Sequence, residues 1–165
     1  MKPTVYIETS VVSYLTARPS HDLHTVSQQN ITVDWWELRQ HNFVLFTSEF
    51  VLMEAARGDK QAAAKRLAIV QSMTELEVLE TATVLAKALI VEGSLPSKAE
   101  IDAFHVAVAA THGMNFLLTW NCKHIANAVM RPEIERVCRE MGFEPPVICT
   151  PVSYTHMTLP TIYSV

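Results

Sequence analysis

The segment Thr4-Val5-Tyr6-Ile7-Glu8-Thr9-Ser10 decides how this chain folds. Its first four residues are β-branched or aromatic, which is typical of a strand. Thr9 and Ser10 are both suitable N-caps for a helix over residues 11–16. The segment therefore predicts a strand that passes directly into a helix, with the carboxylate of Glu8 at the junction.

The same order of strand and helix recurs along the rest of the chain. The continuous apolar run at 42–47 suits a strand covered on both faces, as in a parallel sheet. Further strands are predicted at 76–79, 115–119 and 146–149. Helical patterns fill the intervals, at 25–40, 49–57, 60–72, 82–92, 97–112, 122–130 and 132–141.

Polar residues at two places in the sequence predict where helices begin. Ser48 is placed to cap the helix that starts at residue 49, and Ser97-Lys98-Ala99-Glu100 has the form of a capping box. Strands separated by helices predict right-handed crossovers. The fold class is therefore α/β, a three-layer α/β/α sandwich around a parallel sheet of four to five strands.

Length and composition indicate one domain over residues 1–150. A chain of 165 residues with 49% hydrophobic and 18% charged residues buries a substantial core, and this composition excludes disorder. Residues 151–165 fit no element of the pattern. We interpret them as a tail, either a swapped strand, a disordered end or sequence foreign to the domain, and give them no functional weight.

Charge and cysteine usage narrow the functional classes. The net charge of −4 argues against broad, non-specific nucleic-acid binding but leaves open an enzyme that meets nucleic acid through a metal ion. Cys122, Cys138 and Cys149 form no C-x-x-C pair, so neither a disulfide framework nor a zinc ribbon is predicted. Without a signal-peptide pattern or a membrane-helix pattern, the expected location is the cytoplasm, with no membrane partner.

Three carboxylates stand in apolar surroundings: Glu8, Glu54 and Asp102. A buried carboxylate is costly unless it is paired or bound to a cation. Because strand ends and the starts of the following helices share one edge of a parallel sheet, we expect these acids to converge there with Asn121. Mg²⁺ or Mn²⁺ would remove their mutual repulsion, and water activated by the ion would attack a phosphodiester.

Local pairing is the alternative explanation for each acid. Glu8 would cap a turn, Glu54 would pair with Arg57, and Asp102 would pair with Lys98. The sequence pattern by itself leaves the metal site and the local pairs open.

Histidines are weaker candidates. His105 lies one turn from Asp102 and is either a general base or, more in keeping with its apolar face, a core residue. The spacing of Cys122, His124 and His112 is poor for zinc, so no zinc site is predicted.

Four segments together resemble the PIN-domain ribonuclease family, of the type found as VapC toxins; they are residues 5–10, 48–54, 101–109 and 117–127. The resemblance implies a Rossmann-like sandwich and cleavage of single-stranded RNA that leaves a 5′-phosphate and a 3′-hydroxyl. It implies Mg²⁺ or Mn²⁺ held by Glu8, Glu54 and Asp102, with Asn121 as a fourth catalytic residue. It also implies homodimers and an antitoxin protein as partner.

Two positions depart from the family pattern. The first acid is usually Asp and is Glu8 here, and the fourth position is often Asp and is Asn121 here. Both changes favour lower metal affinity, so the alternative function is a PIN-like RNA- or protein-binding module with weak or no catalysis. Ser10 and Thr119 are expected to support the site, and Lys123 is the best-placed phosphate contact.

Overall fold

A computed structural model describes residues 1–93 and 95–152 of the chain. Within these residues there are five strands: β1 (Thr4–Ile7), β2 (Val44–Ser48), β3 (Thr74–Leu76), β4 (Phe116–Leu118) and β5 (Val147–Cys149). There are seven α-helices: α1 (Thr9–Thr16), α2 (Leu23–Leu38), α3 (Glu49–Ala55), α4 (Lys60–Val70), α5 (Glu80–Val91), α6 (Glu100–Thr111) and α7 (Arg131–Glu140). Most of the predicted tail, residues 153–165, lies outside the described residues.

The five strands form one parallel sheet in the order β3-β2-β1-β4-β5. The predicted α/β/α sandwich with a parallel sheet is confirmed. The chain runs outward from β1 to β2 and β3, and then returns to place β4 on the other side of β1. The carboxyl ends of β1 and β4 therefore flank the point where the strand order reverses, which is where open α/β sheets bind ligands.

The position of β1 at the centre of the sheet explains its largely apolar sequence. Val5, Tyr6 and Ile7 are fully buried, because β1 has a strand on each side and helices over both faces. Tyr6 is in register with Phe46 of β2 and Leu117 of β4. This pairing brings Glu8, the residue after β1, next to the end of β4, where the Glu8 amide donates to the Leu118 carbonyl at 3.0 Å.

Helix α6 is buried along most of its length, and it packs against α5. The predicted capping box is wrong: Ser97–Ala99 forms a 3₁₀ turn, and α6 begins at Glu100 with Ala99 as its N-cap. Among the helices of residues 1–93 and 95–152, none combines the length and apolar character needed to cross a bilayer.

The helix predicted at 122–130 is also wrong, because this stretch consists of turns. The Asn121 side-chain oxygen accepts from the His124 amide at 3.1 Å, and that of Asn127 accepts from the Val129 amide at 2.9 Å. Such side-chain bonds compete with the helical ones. A helix forms only from Arg131 onward, where proline fits the first turn.

Replacing Leu118 tests how much the core around β1 contributes to the stability of the fold. We expect Leu118→Ala to lower the free energy of unfolding by about 2–5 kcal/mol, because it leaves a cavity beside β1 at a fully buried position. Urea denaturation measures the change. Leu23→Ala is the matched control, because Leu23 is 84% exposed and its loss should change stability by no more than about 0.5 kcal/mol. Equal effects of the two substitutions would contradict this account of the core.

Candidate metal centre

Glu8 lies at the end of β1 and is the N-cap of α1, with its residue only 4% exposed. Its Oε2 atom accepts hydrogen bonds from the Ser10 amide at 3.0 Å, from the Thr119 hydroxyl at 2.7 Å and from the Ser10 hydroxyl. A carboxylate at this place also benefits from the positive end of the helix dipole. Ser10 and Thr119, expected from the sequence to support the site, therefore both contact this carboxylate directly.

Glu54 reaches the same region from α3, and its side chain is 26% exposed. Its Oε1 atom lies 2.7 Å from the Thr9 hydroxyl, which donates to it, and 2.6 Å from His105 Nε2. Burial by itself would raise the pKa of this carboxyl, but the hydrogen bond with His105 opposes that effect. The Thr9 hydrogen bond and the Arg57 charge act in the same direction, so the pKa of Glu54 lies below its ordinary value.

His105 connects Glu54 to the interior of the protein and is itself fully buried. Its Nδ1 atom lies 2.7 Å from the Tyr6 hydroxyl, which lies 2.7 Å from the Ser48 hydroxyl. Burial raises the pKa of Tyr6, so this phenol keeps its proton. One consistent assignment has Ser48 donating to Tyr6, Tyr6 donating to Nδ1, and Nε2–H donating to Glu54. In this assignment both ring nitrogens are engaged, and His105 positions the Glu54 carboxylate.

Among the described residues, Glu8, Glu54 and His105 form a group whose ligand atoms all lie within 4.8 Å of one another. Two of the three acids predicted from the sequence are thus brought together across 46 positions of the chain. Asp102 is not a member of this group. It lies in the first turn of α6, where its Oδ2 atom is 2.8 Å from His124 Nδ1.

Asn121 holds the turn that carries His124. Its side-chain oxygen accepts from the His124 amide, and its own amide donates to the Thr119 hydroxyl at 2.9 Å. Asn121 is therefore linked through one residue to Asp102 and through another to Glu8. Lys123, in the same turn, is exposed.

Each of the three carboxylates has one oxygen occupied and one oxygen open. The bonds described above all reach Oε2 of Glu8, Oε1 of Glu54 and Oδ2 of Asp102. Within residues 1–93 and 95–152, no hydrogen bond reaches the second oxygen of any of them. Carboxylates oriented by donors on one side, with a free oxygen on the other, are the ligands that hard divalent cations prefer. The donor set therefore fits Mg²⁺ or Mn²⁺.

Of the local alternatives considered from the sequence, capping does describe Glu8, which caps α1, whereas the local ion pairs do not describe Glu54 and Asp102. Glu54 hydrogen-bonds to His105, while the charge of Arg57 contributes only to lowering the pKa of Glu54. Asp102 pairs with His124, whereas Lys98 was the partner considered from the sequence. Sequence reasoning missed His124 as a partner of Asp102. Its place within the segment that follows β4, three residues after Asn121, was the signal that would have drawn attention to it.

The model of the PIN domain family matches residues 5–124. No curated protein matches the chain. The sarcin–ricin-loop-cleaving toxin VapC20 of Mycobacterium tuberculosis has a similar structure, with a TM-score of 0.58 and 18% identity over 87% of this chain and 100% of that one.

A second similar structure is VapBC2 from Rickettsia felis, solved bound to a DNA fragment from its promoter. The TM-score is 0.57 and the identity 15%, over 89% of this chain and 98% of that one. At these identities the two structures show a shared fold.

The pKa of Glu54 gives a direct test of the hydrogen bonds at this site. Thr9→Val removes one donor while keeping the side-chain size, so in the metal-free protein the pKa of Glu54 should rise toward its ordinary value of 4.5. NMR titration of the carboxyl carbon measures this change. Thr111→Val, which removes a hydroxyl bonded within α6, should leave the pKa of Glu54 unchanged.

The same substitution should alter the acid sensitivity of the fold. Because the folded-state pKa of Glu54 lies below the unfolded one, its contribution to stability is complete above the unfolded pKa and is lost as the pH falls through the folded pKa. Thr9→Val should therefore make the loss of unfolding free energy between about pH 5 and pH 3 smaller. An unshifted Glu54 titration in the variant would show that Thr9 does not stabilise the charged carboxylate.

Proposed function

Because the chain belongs to the PIN domain family, we propose that it is a divalent-metal-dependent endoribonuclease that hydrolyses phosphodiester bonds of single-stranded RNA. The observation that carries this proposal is the pair Glu8 and Glu54, whose carboxylates approach each other at the carboxyl edge of the sheet with one oxygen of each left open. Two negative groups so close together repel each other, and a cation between them relieves the repulsion.

Glu8 and Glu54 would hold Mg²⁺ or Mn²⁺, and Asp102 would complete the acidic set from α6. A bound divalent cation neutralises the carboxylates, stabilises charge on the phosphoryl oxygens and makes water a stronger nucleophile. The cleavage would leave a 5′-phosphate and a 3′-hydroxyl.

The role of the surrounding side chains is to fix the acids before substrate arrives. Thr9 and His105 orient Glu54, and His124 orients Asp102, so that each open oxygen keeps its direction. Asn121 would act in catalysis by holding the turn of His124. Lys123, exposed on that turn, would contact a substrate phosphate.

A toxin role extends this proposal to partners. One similar structure is described as a toxin that cleaves the sarcin–ricin loop, and the other as a VapBC2 protein on promoter DNA. These likenesses support a toxin with an antitoxin protein as its partner. We further propose that the nuclease domain spans residues 1–150, forms a homodimer and acts in the cytoplasm.

The second candidate is a PIN-like module that binds RNA or protein with weak or no catalysis. The state of Asn121 favours it, because this side chain carries no charge and its oxygen is already bonded to the His124 amide. Binding of the metal and hydrolysis of RNA distinguish the two functions.

Hydrolysis of a labelled single-stranded RNA with Mn²⁺ is the decisive measurement. We expect Glu54→Gln and Asp102→Asn each to lower kcat/KM by at least about 100-fold, because each loses a charged ligand. Glu100→Gln is the matched control, since Glu100 is an exposed acid in the same turn of α6 as Asp102 and should change the rate little.

Calorimetry with Mn²⁺ alone separates binding from chemistry. Metal binding that weakens in Glu54→Gln, together with RNA hydrolysis, supports the nuclease. If the protein binds RNA, does not hydrolyse it and binds no Mn²⁺ at millimolar concentrations, the binding module is favoured. Equal rates of hydrolysis by the wild type and Asp102→Asn would overturn the proposed site.

A further inference from the structure

A basic cleft of about 410 Å³ lies between the end of α1 and helix α4. We use this name for Arg18, Lys65 and Arg66 together with Thr16, which lines the same space. Asp59 is the one carboxylate among its lining residues, and its Oδ2 atom caps α4 by accepting from an amide of the first turn. The charge that the cleft presents is therefore positive.

This positive charge is exceptional for an acidic chain. The chain has a net charge of −4, and two arginines of α7, Arg136 and Arg139, are paired with neighbouring glutamates. The side chains of Arg18 and Lys65 are exposed, and within the described residues neither makes a hydrogen bond or ion pair. They are thus available to an anionic ligand without breaking an existing contact.

Arg66 joins the cleft to the candidate metal centre. Its Nε atom donates to the Ala55 carbonyl at 3.0 Å, and another guanidinium nitrogen donates to the Arg57 carbonyl. Ala55 directly follows Glu54 on α3. The guanidinium therefore fixes the end of the helix that carries one proposed metal ligand and at the same time lines the cleft.

Helix α1 sets the distance between the two places. Thr9, which bonds to Glu54, and Thr16, which lines the cleft, are seven residues apart and lie on the same face of the helix. Two helical turns amount to about 10 Å. The basic cleft thus begins about 10 Å along α1 from Thr9, the residue that bonds Glu54, on the side where α1 packs against α3 and α4.

We propose that the basic cleft binds a backbone phosphate of the single-stranded RNA at a position away from the phosphate that is cleaved. This inference rests on the proposed function, because the strand that crosses the metal centre needs cationic anchors on an otherwise acidic protein. An acidic peptide would meet the same cations. RNA is favoured because a strand with one phosphate at the proposed metal centre would reach the cleft, which lies two helical turns away along α1.

The test is RNA binding by Lys65→Gln, Arg18→Gln and the double variant, measured by fluorescence anisotropy with labelled single-stranded RNA in EDTA so that the RNA stays intact. Each single substitution should weaken binding roughly 3- to 10-fold and lower the slope of log K against log salt by about 0.7. Lys87→Gln, which removes an exposed lysine on α5, should leave both quantities unchanged. Circular dichroism melting checks that all variants fold as the wild type does.

Kinetics add a second readout. With Mn²⁺ and a long RNA, Lys65→Gln should raise KM and leave kcat unchanged, whereas cleavage of a dinucleotide, too short to reach the cleft, should be unaffected. Arg66 is left intact because its substitution would also disturb α3.

The outcomes separate this inference from the proposed function. Normal hydrolysis with unchanged affinity and salt slope in the double variant overturns the cleft and leaves the nuclease standing. RNA binding that depends on Lys65 and Arg18 in a protein that does not hydrolyse RNA supports the cleft and overturns the nuclease. Cleft-dependent binding of an oligoglutamate peptide, with RNA binding insensitive to these substitutions, overturns RNA as the ligand.

Discussion

Repulsion between carboxylates at the carboxyl edge of the sheet is the constraint around which the rest of this molecule is arranged. Glu8 and Glu54 approach closely, and because Glu8 is only 4% exposed, little solvent screens the repulsion between them. Hydroxyl and amide groups donate hydrogen bonds to one oxygen of Glu8, and a hydroxyl and an imidazole contact one oxygen of Glu54. No lysine or arginine forms an ion pair with either acid in the described part of the chain, so the open oxygens keep the negative charge that attracts a cation.

The sheet makes this arrangement possible because its strand order reverses beside β1. Glu8 follows β1 and Thr119 follows β4, and parallel pairing of the two strands sets the 2.7 Å bond between these residues. Behind the acids, a buried chain from Ser48 through Tyr6 to His105 ties β2, β1 and α6 to Glu54. The position of Glu54 is therefore specified by three other elements, which is the preorganisation that a metal site requires.

Helix α1 links two opposite electrostatic environments. Its first turn contacts both glutamates, and its last turn ends at the basic cleft. A polyanionic strand laid along this helix would have a cation-dependent contact at one end and lysine and arginine contacts at the other. This arrangement reconciles an acidic net charge with the proposed RNA substrate, since three basic residues lie together beside the path that the substrate would take.

The sequence by itself determined the elements that depend on neighbouring residues. Alternating apolar runs and helical periodicity predicted the parallel sheet and the sandwich, and isolated acids such as Asp102 in an apolar helix indicated a functional edge. The tertiary structure decided the partners: His105 for Glu54, His124 for Asp102, and Tyr6 for the Ser48 hydroxyl that was expected to cap α3. These partners are 22 to 51 residues apart in the chain. Strand register and helix docking bring them together, and no local pattern encodes either, whereas hydrophobic periodicity acts within a few residues and can be read directly.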